Sequence, residues 1–84
     1  MLTAPDIVIS YTRNRCNARV AAQAGDDRVA AAAYADAVTD ALRTAGTEWQ
    51  LIDRVAAQFD RHPGLCDLTE ALRLAGLRAP EGVR

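Results

Sequence analysis

The sequence predicts an all-α fold: a compact bundle of four helices, the last one short. Three observations predict it. Apolar residues recur at helical spacing in four separate segments. Gly25, Gly46, Pro63-Gly64 and Gly76 stand where those segments run out, as helix stops do. Alanine, the strongest helix former, supplies 18 of the 84 residues.

The first helix is expected from about Thr3 to Ala24. Thr3 serves as N-cap, Asp6 as the capping-box acid and Pro5 as a first-turn proline. Ile7, Tyr11, Ala18 and Ala22 share one face, which Asn14 interrupts. The β-branched run Ile7-Val8-Ile9 could instead begin a strand. With no partner strand in the rest of the chain, helix is the expected state. The second helix, about Asp27 to Ala45, opens on Asp26 as N-cap and closes on Gly46. Ala30, Ala33, Tyr34, Ala37, Val38, Ala41, Leu42 and Ala45 form its apolar stripe, with Asp36, Asp40 and Arg43 opposite. Thr47 and Gln50 form a capping box for the third helix. Trp49, Ile52, Ala56 and Phe59 line its face, widened by Leu51 and Val55, and Arg61 and His62 suit its last turn. The short fourth helix, about Leu68 to Ala75, has Asp67 and Glu70 at capping-box spacing and Gly76-Leu77 as a Schellman ending, with Leu77 against Leu72. Residues 1–77 form one helical domain and 78–84 a frayed tail. Trp49, Ile52, Phe59, Tyr34, Val38, Leu42, Leu68 and Leu72 are expected to dominate the core.

Composition excludes several classes. No apolar run approaches the ~20 residues that cross a bilayer, so no membrane association is expected. The N-terminus has no basic stretch ahead of an apolar one, so no signal peptide is expected and a cytoplasmic location follows. The net charge of −1 lacks the basic footprint of a general nucleic-acid binder. There are ten arginines and no lysine, which excludes Schiff-base chemistry. Only 24 apolar residues are larger than alanine, so self-association or a partner would help so short a chain.

Residues for chemistry are few. Ser10 is the only serine and His62 the only histidine. A Cys66–His62 dyad across the Pro63-Gly64 turn would also need a third group to orient the base and a pocket, and the simpler reading has His62 at a helix C-terminus and Cys66 packed beside Leu65. Cys16, His62 and Cys66 are three potential zinc ligands where a structural site uses four. The two cysteines read best as small buried thiols. The Asp36/Asp40 pair reads as solvated surface and Asp26-Asp27 as helix capping. No catalytic, metal or cofactor site is expected.

Two features point to binding. Residues 1–25 carry a net charge of +2 against −3 for the remainder, through Arg13, Arg15 and Arg19. Arg15 and Arg19 share a helix face, whereas Arg13 lies about 160° from Arg15. The second feature is the segment Leu68-Thr69-Glu70-Ala71-Leu72-Arg73-Leu74-Ala75-Gly76-Leu77. It is similar to the first helix and turn of helix-turn-helix DNA-binding proteins. That resemblance implies a recognition helix over Arg78–Arg84, where Gly82 is a poor helix former and Glu81 a poor neighbour for phosphate. The expected function is a small, non-enzymatic interaction protein, a bacterial or phage accessory protein in type. It binds a protein partner or itself through an Ala-rich helical face. A helix-turn-helix-like DNA-binding regulator is the alternative. Arg15, Arg19, Tyr34, Arg73 and Arg78 are the candidate interaction residues.

Overall fold

A computed structural model describes residues 2–79. The elements in order are β1 (Leu2–Thr3), α1 (Asp6–Gln23), α2 (Asp27–Leu42), α3 (Thr47–Arg61), α4 (Leu68–Leu74) and β2 (Leu77–Arg78). The fold is the expected all-α bundle of four helices, and residues 7–11 are helical. The two short strands were not foreseen. β1 pairs with β2 in parallel, Leu2 opposite Leu77 and Thr3 opposite Arg78.

That pairing explains why α1 begins late. The Ala4 amide donates to the Arg78 carbonyl at 3.1 Å, so residues 2–4 stay extended. Thr3 therefore lies in β1 and caps nothing. Pro5, extended at φ −61° and ψ 156°, precedes the first turn, where Asp6 faces the positive end of the helix dipole. The buried face of α1 also differs from the expected one. It consists of Val8, Ile9, Tyr11, Thr12, Cys16 and Ala21. Ile7 and Ala18 are half-buried and Ala22 is exposed. The burial arc is wide because α1 touches α2, α3 and α4 in turn. Thr12 tolerates burial because its hydroxyl donates to the Val8 carbonyl at 2.7 Å.

Asp26 caps α2 as expected, its carboxylate accepting the Val29 amide at 3.1 Å. The helix stops at Leu42, three residues early. There the Arg43 amide donates to the carbonyls of Thr39 and Asp40, and the Thr44 hydroxyl donates to that of Ala41. These contacts satisfy the carbonyls of Thr39, Asp40 and Ala41, three of the four that a helix end leaves open. Gly46 is thus not the end of α2. It sits at φ 57° and ψ −127° immediately before α3, a conformation that favours glycine. Thr47 lies inside the helix, so the expected Thr47–Gln50 capping box does not form. Asp67 does cap α4, accepting the Glu70 amide at 2.8 Å. Gly76, at φ 77°, turns the chain out of α4 and its amide donates to the Arg73 carbonyl at 3.0 Å.

Phe59, Leu72, Leu77, Val8, Val55 and Thr12 are the largest fully buried side chains, and Ile52 and Leu68 are buried with them. Four expected core residues are not. Leu42 is 78 % exposed, Tyr34 51 %, Trp49 47 % and Val38 41 %. Trp49 lies about 120° around α3 from Val55, beyond the face that Leu51, Ile52, Val55 and Phe59 bury. Within the expected tail, Arg78 belongs to β2 and Ala79 packs on the core. Residues 80–84 lie outside the described residues. No helix among the described residues is long and apolar enough to cross a membrane.

Candidate interaction surface

α1 is the only extensive partner of α2 among the described residues. Ala37 is fully buried between them, with Ala30, Ala33 and Ala41 half-buried beside it. These small residues let the two backbones approach closely. A polar bridge fixes the register. The buried Asp40 carboxylate accepts the Ser10 hydroxyl at 2.8 Å and the Asn14 amide at 2.9 Å. Asp40 is therefore not the solvated surface acid expected, whereas Asp36 is exposed. Asn14, the polar interruption in the expected apolar face of α1, is a bridging donor.

With its alanine row committed to α1, α2 turns a second apolar face outward. Tyr34, Val38 and Leu42, at i, i+4 and i+8, form a ridge along it. Ala31, Ala35 and Thr39 run beside the ridge, all exposed. Asp36 and Asp40 each lie about 160° around the helix from Val38, so neither places charge on this face. The sequence places all three in the core and names Tyr34 alone as a candidate interaction residue as well. A signal was present: the apolar stripe from Ala33 to Leu42 spans about 180°, wider than the ~100° that one packed neighbour covers.

Arg15 and Arg19 turn toward the bundle. The Arg15 guanidinium carbon lies 4.8 Å from the Phe59 ring centroid, 5.3 Å from Tyr34 and 5.8 Å from Tyr11. Its Nη1 donates to the Tyr11 hydroxyl at 2.8 Å. Charge held over three ring faces is a favourable cation–π arrangement. Arg19 donates from Nη1 to the carbonyls of His62 and Pro63, and from Nη2 to that of Phe59. It thus neutralises the negative end of α3. Together with Tyr34 and four alanines, the two arginines line a groove of about 460 Å³ between α1 and α2.

Arg73 pairs with Glu70 at 2.5 Å on the surface of α4. The hydrogen bond from Arg73 holds the Glu70 carboxyl below its ordinary range. Such an exposed pair adds little stability. Arg78 is exposed on β2. The structure therefore brings Arg15, Arg19 and Tyr34 together and leaves Arg73 and Arg78 on α4 and β2. After Gly76 the chain enters β2, so the DNA-binding alternative has no recognition helix among the described residues.

Cys16 and Cys66 are both free thiols, Cys16 buried and Cys66 half-buried. Burial, then the Asp67 and Cys66 charges, push the Cys16 thiol up to about 11, against an opposing pull from Arg15 and Arg19. His62 and Cys66 line one shallow groove of about 510 Å³. Among the described residues no hydrogen bond joins them, and no three His, Cys, Asp or Glu side chains gather as metal ligands would. Comparison with protein-family models, with curated proteins and with solved structures finds no match.

Proposed function

We propose that this chain is a small non-enzymatic interaction protein that binds a helix through the outward face of α2. The helix belongs to a protein partner or to a second copy of the chain. The observation that carries this reading is the exposed ridge Tyr34–Val38–Leu42. A contiguous exposed apolar ridge, here flanked at Tyr34 by the Arg15 guanidinium, marks an interaction site, since isolated domains rarely leave one uncovered. A cytoplasmic setting belongs to the same reading, because the two cysteines stand as free thiols.

The test is a double variant, Val38→Ser with Leu42→Ser, compared with the wild-type chain by sedimentation and by capture from lysate. Both side chains are exposed, so the far-UV circular dichroism of the variant should match the wild type. The wild-type chain should show a self-associated form or a specifically retained protein that the variant loses. Identical behaviour of the two proteins overturns the proposal.

A further inference from the structure

Arg15 and Arg19 are both half-buried, and among the described residues neither comes within ion-pair distance of a carboxylate. Arg19 commits its guanidinium to the backbone carbonyls of Phe59, His62 and Pro63. Arg15 does not. Its Nη1 donates to the Tyr11 hydroxyl, and among the described residues its Nε and Nη2 groups meet no acceptor. The Phe59, Tyr34 and Tyr11 rings hold this guanidinium in place, so its free edge is fixed before anything binds. The edge formed by Nε and Nη2 is the fork that matches the two oxygens of a carboxylate.

Arg15 and Tyr34 stand at one end of the groove of about 460 Å³ between α1 and α2. Arg19 and the alanines 18, 22, 30 and 31 complete its lining. From Arg15 to Ala22 the groove runs about 10 Å along α1. It is therefore cationic toward one end and apolar along the rest. We propose that this groove binds a small amphipathic carboxylate, its charged group on the free edge of Arg15 and its apolar body along the alanines. The volume lies within the roughly 300–1,000 Å³ of small-molecule sites. A bare anion would gain nothing from the alanines, and a neutral apolar molecule would leave the half-buried cation without a partner. A polyanion fits worse, because Asp27 stands one turn before Ala31 and Asp60 follows Phe59. Neither acid lines the groove or comes within ion-pair distance of either arginine. The site does not rest on a partner at the outward ridge of α2, although Tyr34 borders both.

Titration of the full ¹⁵N-labelled chain with 2-naphthoate, followed by NMR, tests this. The Arg15 Nε–H signal and the amides of Ala18, Ala22 and Ala31 should shift together and saturate, with a midpoint on the order of 1 mM for so small a ligand. The neutral isostere 2-naphthamide should bind at least about fivefold more weakly, since it forms no charge-assisted bond. Inorganic phosphate at the same concentrations should leave the alanine amides unmoved. Ala31→Leu fills the groove at an exposed helical position, so its circular dichroism should match the wild type while its midpoint for 2-naphthoate rises at least about fivefold. Arg15→Gln should bind 2-naphthoate and 2-naphthamide alike, whereas Arg73→Gln, on α4, should bind as the wild type does. Absence of saturable shifts up to about 10 mM overturns the proposal. Equal binding of the acid and the amide by the wild-type chain overturns it, as does undiminished binding by Ala31→Leu. Both of those outcomes can be read even if Arg15→Gln fails to fold.

Discussion

Arg19 ties α1 to the carboxyl end of α3 through the carbonyls of Phe59, His62 and Pro63. The bonds are charge-assisted, and they satisfy carbonyls that a helix end leaves open. Arg19→Ala should therefore lower stability by about 1–2 kcal/mol, read as a lower urea midpoint at unchanged slope. Arg13, two turns earlier and exposed, should be neutral when replaced by Ala. The contrast between the two was partly legible in the sequence. Helical geometry separates Arg13 from Arg15 and places Arg15 and Arg19 on one face. It does not reveal that this face turns inward, because the acceptors of Arg19 lie 40 to 44 residues away. The same limit applies to Asp40, whose partners Ser10 and Asn14 are 30 and 26 residues distant.

Among the elements, α2 has two alanine-bearing faces with different duties. Ala37 has no exposed surface and holds α2 against α1. Ala37→Leu should cost about 1–3 kcal/mol by forcing the helices apart, seen as a lower thermal midpoint. Ala35→Leu, on the open face, should leave monomer stability nearly unchanged. Element boundaries were legible where a side chain marks them locally: Asp26 and Asp67 cap as their positions imply. They were not legible where the chain is held from afar. Thr3 has the composition of an N-cap but is drawn into β1 by Arg78, and Thr47 is displaced into α3 when Gly46 takes the turn. The stripe of α2 was legible as apolar but not as two faces. Hydrophobic periodicity reports that a face is apolar, and contacts with other elements decide whether it is covered.

For the molecule as a whole, two buried groups contribute to the response to alkali. Burial raises Cys16 from an ordinary value of 9 to about 11, and burial raises Tyr11 against the opposing charge of Arg15. Both pKa values are higher folded than unfolded. Their contribution is therefore fully present below the unfolded values and is lost as the pH rises through the folded ones. The thermal midpoint should hold to about pH 9 and fall between about pH 9 and 11, where the contribution of Cys16 is lost. Cys16→Ala should flatten that fall even if its midpoint is lower throughout. Melting curves recorded at half-unit pH steps read both effects. The half-exposed Trp49 bears on how such measurements are made. The only indole of the chain stands in the first turn of α3, outside the buried face, so its emission should already be close to that of a solvated indole. Tryptophan fluorescence is consequently a poor reporter of core melting in this molecule and a good reporter of anything that comes to cover the start of α3.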